Sequence, residues 1–431
     1  MNFLKKQSPV RIISLGFALV ILIGSVLLSL PCSIRDGVTL RYIDALYMST
    51  SAVCVTGLLT VDAGDTLTPL GQFFLGMLIQ VGGLGVTAVG TGVILAMGKK
   101  INLKARNLIR EAGNLDSGKG VIRFIRLVFL TTVTFELAGA ALSFLVFRKS
   151  FPPLKAAGVS LFHSVASFNN SGFDILGGGQ NLIPYQDDIL LNLVTCALVI
   201  FGGIGFLVIR EVIAKRFRWK KLSMHAKVVL FMSLVLTAAG TVLLKLTEDI
   251  TWMGAFFTSV SARTAGFSTF PLGSFSSAGL LTVIVLMVIG ASPGSTGGGI
   301  KTTTCYVLFE GIHSSATNTS EKAFRYAVPA DAFRKAAVIT LLAIGIVLSG
   351  TYILVILEPG VPFLDALFEM SSAFGTAGLS TGISAGLCDA AKILTILIMF
   401  IGRLGPLTIA SLWYFTKGER VSYPEGNIAI G

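Results

Sequence analysis

The chain has 431 residues, of which 53% are hydrophobic and only 13% charged. Soluble domains carry roughly 25% charged residues, so a water-soluble globule is excluded, and recurrent apolar runs of about 20 residues mark a polytopic membrane protein. The net charge of +12 does not point to nucleic acid, because the basic residues gather in short connections between apolar runs, where the positive-inside rule places them on the cytoplasmic face.

Lys5, Lys6 and Arg11 flank the first apolar run, 12–30. More runs follow it, so it reads as a span and not as a cleaved signal. A short segment then ends in "TSAVCVTGLLT" around Gly57, and a second long run covers 70–97. A basic connection follows, from Lys99 and Lys100 to Arg123 and Arg126. The same plan returns three times. Runs near 126–147, 226–246 and 333–357 each precede a short segment, which ends at "VASFNNSGFDI", "SVSARTAGFSTF" and "SSAFGTAGLST". Long runs near 187–213, 277–312 and 390–416 close the units. Further basic clusters stand at 210–227 and 322–335. Both termini are therefore expected in the cytoplasm of a plasma-membrane protein in contact with lipid. The units are 1–105, 106–222, 223–322 and 323–431.

The repeat is exposed by aligning Gly57, Gly172, Gly266 and Gly378. Ten residues upstream stand Tyr47, Phe162, Phe256 and Phe368, and immediately downstream stand Leu58, Phe173, Phe267 and Leu379. A segment of ten to thirteen residues cannot cross a bilayer, so each unit reads as helix, re-entrant half-helix, loop and helix. The expected fold is an all-α polytopic membrane protein with four helix–pore-helix–helix repeats around a pseudo-fourfold pore. Irregular backbone at membrane depth must be buried or line a wet cavity. Four such loops on one axis make a cation filter of carbonyls. Its candidate residues are Cys54, Val55, Thr56 and Gly57; Asn169, Asn170, Ser171 and Gly172; Arg263, Thr264, Ala265 and Gly266; and Gly375, Thr376, Ala377 and Gly378. Glycine adopts the required conformations without a Cβ penalty. Half-helix C-termini, each bearing roughly half a negative charge, favour a cation.

The second helices carry "VGGLG", "FGGIG" and "IGRLG", explained in the first two cases by small-residue packing. In the third repeat the motif dissolves into "GASPGSTGGGIKTTT". Pro293 lacks an amide donor, so the helix must break there, and only there among the four. Gly290, Pro293, Gly294, Ser295, Thr296, Gly297, Gly298 and Gly299 form a candidate gate loop, with hydroxyls of Ser292, Ser295 and Thr296 bonding freed backbone. Arg403 replaces the middle glycine of the motif in the fourth repeat. A guanidinium at that depth is costly, and it is expected to donate to carbonyls of the broken segment. Deleting residues within 291–299 and Arg403→Ala are then expected to act alike, raising flux and leaving ion preference unchanged. Lys301 is either a gate residue or an interfacial lysine. Arg263 either faces the pore or braces its loop, and Glu136 pairs within the bundle.

No catalytic residue and no resident metal or tightly bound cofactor is expected. "GGGIKT" lacks the glycine before lysine that a P-loop needs. "GSTG" offers Ser295 as a nucleophile for an intramembrane hydrolase, a rival with only His163, His225 and His313 as bases. The five cysteines have neither metal-ligand nor disulfide spacing and read as packing residues.

The motifs "CVTGL", "NNSGF", "RTAGF", "GTAGL", "MLIQVGGLG", "GSTGGGIKTTT", "MFIGRLGPLT" and "YPEGNIAIG" are similar to those of the bacterial Trk/Ktr/HKT superfamily of potassium transporters. The chain resembles most the membrane subunit of Ktr, over nearly its whole length. The resemblance implies potassium as the transported ion, sodium as a coupling or activating ion, a homodimer and a cytosolic ring of nucleotide-binding regulatory subunits. Glycine at the first filter position goes with potassium preference in the family, and serine there with sodium permeation. The filter lacks the TVGYG of true channels, which leaves a sodium-permeable transporter of the same fold as the alternative.

Overall fold

The computed structural model describes residues 9–96, 120–329 and 331–411. The boundary expected at 105/106, most of the first basic connection and "YPEGNIAIG" lie outside the described residues. Four long helices recur: Pro9–Leu28, Val121–Phe147, Met224–Thr247 and Ala332–Leu357. They hold 20 to 27 residues, about 30–40 Å at 1.5 Å per residue, enough to cross the hydrocarbon. Leu22, Leu137, Leu234 and Leu341 on these outer helices remain half or more exposed, an arrangement suited to lipid and not to water.

Each outer helix is followed by a half-helix: Tyr42–Cys54, Pro153–Phe168, Trp252–Ser261 and Phe363–Gly375. The second is 16 residues long, longer than expected, because Pro153 starts it a turn earlier as a first-turn proline. The half-helices dock on glycines of the outer helices. A Cβ on Gly24 would lie 2.4 Å from Ser49 Oγ, one on Gly139 2.4 Å from Ser164 Oγ, and one on Gly240 2.4 Å from Ser259 Oγ. The three serines donate to the carbonyls of Ile21, Glu136 and Thr237, one turn before those glycines, at 2.6–2.9 Å. Small residues and short polar bonds are what hold helices together in lipid. In the fourth repeat Gly350 meets Met370 and Ile398 instead.

The inner helices correct the sequence expectation. All four are broken, not the third alone. Pro69–Leu84 and Val86–Ala96 meet at Gly85 with a bend of 102°. Ile189–Ile204 and Phe206–Ala214 meet at Gly205 with a bend of 98°. Asp389–Leu404 stops at Gly405, before Pro406–Ser411. The third repeat has Ser277–Val288 and then Thr302–Thr317, with an irregular loop between them. Gly85, Gly205 and Gly405 have φ of 85°, 100° and 89°, open to glycine and not to the residues that would continue a helix. The leading glycines of the motif do pack closely: a Cβ on Gly82, Gly202 or Gly402 would strike the carbonyl of Val53, Phe168 or Phe374. Thr68, Asp188 and Ser276 cap the starts of three inner helices.

Among the described residues, counting each bent pair as one span, up to six helices are long and apolar enough to cross a membrane. The protein is a multi-pass, all-α membrane protein whose four repeats surround one axis. A two-residue antiparallel pair, Lys322–Ala323 with Tyr326–Ala327, is the strand content among the described residues. Cys54, Cys196 and Cys305 are buried free thiols, whereas Cys32 and Cys388 are exposed at helix ends.

Candidate ion pathway

The four glycines converge. A Cβ on Gly57 would lie 2.4 Å from the Ser171 carbonyl oxygen, and one on Gly172 2.7 Å from that of Ala265. One on Gly266 would lie 2.7 Å from the Ala377 oxygen, and one on Gly378 2.1 Å from that of Thr56. Each glycine therefore faces the carbonyl of the residue before the next repeat's glycine, and the ring closes head to tail. The four glycines have φ of 70–102°. Leu58, Phe173, Phe267 and Leu379, immediately after them, are at most 2% exposed and wedge the loops from behind.

A second regularity had no residue signature. Val55, Asn170, Thr264 and Thr376, each two residues before its glycine, are also left-handed, with φ of 56°, 59°, 68° and 48°. Such residues cost about 1–3 kcal/mol each and persist only where the surroundings over-determine them. All four are fully buried. An outer vestibule of about 480 Å³ opens above the ring, walled by Gly57, Gly266, Gly378 and Asp174. A ring of carbonyls between such a vestibule and the protein interior can replace the water shell of a bare cation.

Directly beneath the ring lies the loop of the third repeat. It folds back on itself through a bridge between Ile289 and Ile300. Its polar backbone is satisfied partly within itself and partly by the break in the second repeat. Ser292 N donates to Gly203 O at 3.0 Å and Thr296 N to Gly202 O at 3.2 Å, while Phe206 N donates to Gly294 O at 3.1 Å. Of the hydroxyls expected to serve the loop, Ser295 Oγ donates to Ser292 O at 2.6 Å. Ser292 Oγ instead meets Thr302 Oγ1, and Thr296 Oγ1 donates to Phe168 O on the second half-helix.

The loop also touches the residues below the ring. Gly298 N donates to Thr376 Oγ1 at 3.0 Å, and Thr296 Oγ1 lies 3.2 Å from the Asn170 carboxamide. A Cβ on Gly297 would come within 2.1 Å of Thr264 Oγ1. Three of the four left-handed residues thus rest on the loop, and the fourth, Val55, has no polar atom to offer. Below it is a cavity of about 270 Å³ lined by Gly83, Gly85, Gly294, Lys301 and Arg403.

Arg403 lies against this loop. Its Nη1 donates to Thr296 O and its Nη2 to Gly82 O and Gly83 O, so it bridges the loop to the break of the first repeat. Lys301 Nζ donates to Gly297 O at 2.8 Å and Gly298 O at 3.3 Å, and is no interfacial lysine. Two side chains of the candidate filter point away from the axis, and Arg263 takes the bracing alternative. The Arg263 guanidinium turns away from the axis and donates to Ser233 O at 3.0 Å and Thr237 Oγ1 at 3.3 Å, because a cation cannot ligate a cation. The Asn169 side chain turns outward as well, donating to Gln80 Oε1 at 2.8 Å and Glu136 Oε1 at 3.1 Å. Sequence reasoning missed Asn181, whose side chain reaches the ring from the outer loop, and the glycine–serine docking of half-helix on outer helix. The serines stand about eight residues before each ring glycine, which was a readable signal.

A carbonyl ring inside a multi-pass bundle defines a membrane protein for cations. The description of the TrkH cation transport protein family matches residues 10–416, and the chain belongs to that family. It is 36% identical to the Ktr system potassium uptake protein B of Bacillus subtilis (strain 168), covering 98% of this chain and 97% of that one. It is 35% identical to the potassium/sodium uptake protein NtpJ of Enterococcus hirae, covering 99% and 98%. The crystal structure of the potassium transporter TrkH from Vibrio parahaemolyticus has the same fold, with a TM-score of 0.75 at 19% identity, over 95% of this chain and 86% of that one.

Proposed function

We propose that this chain takes up potassium through the Gly57/Gly172/Gly266/Gly378 ring, with 290–301 as the gate beneath it. The observation that carries the reading is the head-to-tail closure of the ring, which brings four carbonyls to one level around an axis. Glycine at all four stations, and relatives named for potassium uptake, favour potassium over sodium. A relative named for both ions keeps sodium as an activating or competing ion. The gate is closed in this arrangement, because the loop fills the floor of the ring and its polar groups are paired. A cytosolic nucleotide-binding ring docking on the basic connections would release it, and the membrane subunit works as a homodimer. Arg210, Lys215, Arg218 and Lys220 at one end of the second inner helix support a cytoplasmic position for both termini. Against the hydrolase rival, Ser295 Oγ donates to the Ser292 carbonyl and not to a histidine.

The test is uptake in a bacterial strain lacking its own potassium uptake systems, with sodium varied. Potassium uptake at low external potassium is expected. If the inserted protein moves sodium at least as fast as potassium, the sodium-permeable alternative replaces this reading.

A further inference from the structure

Each ring loop is tied down by a different device. Gly57 N donates to Ser51 Oγ at 3.0 Å, Ser261 Oγ donates to Phe267 O at 2.5 Å, and Ser380 Oγ donates to Glu369 Oε2 at 2.7 Å. These three ties stay within their own repeats. The second repeat differs. Asn181 Nδ2 donates to the carbonyl of Gly172 itself, at 3.1 Å. Asn181 Oδ1 accepts from Ser268 N at 3.1 Å, on the segment that leaves the third ring glycine, and from Leu182 N at 2.9 Å. The carboxamide can sit only this way round, since the glycine oxygen only accepts and the two peptide N–H groups only donate. Asn181 has φ of 51°, a left-handed conformation that asparagine takes more readily than most residues. It lines the outer vestibule together with Gly57, Gly266 and Ser268. Among the four ring glycines, Gly172 is the one whose carbonyl accepts from a side chain, so one wall has its glycine oxygen held from outside.

We propose that Asn181 is a positioning residue for ion discrimination: its carboxamide fixes the Gly172 carbonyl and locks the second wall to the third at the outer mouth. The inference rests on the ring being the filter. A carbonyl has two lone pairs, so the tie leaves one for an ion while it removes the oxygen's freedom to move. Oxygens that cannot close inward suit the larger potassium ion better than sodium. Released, the Gly172 oxygen follows the smaller ion, and discrimination falls.

The experiment compares potassium and sodium flux through the full chain in proteoliposomes. Asn181→Asp keeps the acceptor for Ser268 N and loses the donor to Gly172. Asn181→Gly removes both and suits the left-handed backbone. A carboxylate attracts the smaller ion more closely, so Asn181→Gly, which adds no charge, separates loss of the donor from the aspartate's charge. Both variants are expected to lower the potassium-to-sodium ratio about fivefold, the worth of one neutral hydrogen bond. Gly57→Ser is measured alongside. If it shifts the ratio and the Asn181 variants do not, even where they lower thermal stability, Asn181 is only structural and the filter stands. If none of the three shifts the ratio, the filter assignment falls and this inference with it. Should Asn181→Gly fail to insert, the equally uncharged Asn181→Ser, too short to reach the Gly172 oxygen, decides in its place.

Discussion

The glycine ring and the level just below it obey opposite rules. At the ring all four walls share one relation, glycine against the next repeat's carbonyl. Below it, the four broken inner helices end in four different ways. The first break is met by Arg403, the second is stitched to the loop by three backbone bonds, the third is the loop itself, and the fourth supplies the arginine. An ion on an axis asks the same of every wall, whereas a barrier has to be built only once. The breaks also explain how irregular backbone survives at this depth. A buried polar group left unpaired costs about 1–3 kcal/mol, and here the groups freed by one break satisfy those freed by another. Opening must therefore offer water, or new partners, to all of them together.

The comparison is broken most forcefully by removing the loop. Deleting residues within 291–299 is expected to raise potassium influx, with no second polypeptide present, by about ten- to a hundredfold, since a charge-assisted bond alone is worth roughly 1.5–3 kcal/mol. Arg403→Ala leaves the three stitches to the second repeat intact and is expected to raise influx about tenfold, the low end of the worth of a charge-assisted bond. A shortened, inserted protein no faster than wild type would reduce the loop to a packing feature. This separates two changes that the sequence suggested would be equivalent.

Gly57→Ser tests the ring level. Its Cβ would sit 2.4 Å from the Ser171 oxygen, so that wall must move, and sodium flux relative to potassium is expected to rise about fivefold. An unchanged ratio removes Gly57 from the filter. Thr376→Val asks whether the two levels are separate at all. It removes the acceptor of Gly298 N, and about threefold faster flux together with a shifted ion ratio is expected. Faster flux at constant ratio would show that the floor of the ring takes no part in discrimination.

The smallest effect belongs to the vestibule. Burial raises the Asp174 carboxyl to about 7, and the neighbouring Asp62 and Asp65 push it the same way. Below that pH it is neutral, and the vestibule loses one negative charge. Influx at limiting potassium is expected to fall about twofold from pH 8 to pH 6, since a unit charge about 8 Å away in water is worth about 0.5 kcal/mol. Asp174→Asn should flatten that profile, and a slope that survives the substitution would place the titrating group elsewhere.

The ring glycines were readable because no other residue can stand against a carbonyl at those distances. Pro293 announced the third break for an equally simple reason. The other breaks were hidden by their own motif: in "VGGLG" the first glycine packs and the last one bends, and sequence alone assigns both to packing. Only Pro406, directly after Gly405, hinted at the difference. The left-handed residues before the ring are valine, asparagine and two threonines, so no composition rule could find them. Arg403 could be singled out, but not its second grip on Gly82, because that depends on which inner helices become neighbours. Asn181 lies nine residues beyond Gly172, and its bond exists only after the outer loop has folded back.

The ring closes within one polypeptide, so its four stations are separate genetic addresses. In a tetramer of identical subunits every substitution arrives in four copies. Arg403 could not be installed that way, since four guanidinium groups facing one another in a plane would repel the cation and each other. A covalently joined ring can place one arginine beside the path, with Lys301 on the neighbouring loop, and leave the other two quadrants to glycine and backbone. The lone arginine is thus a change open only to a chain whose four repeats can differ from one another.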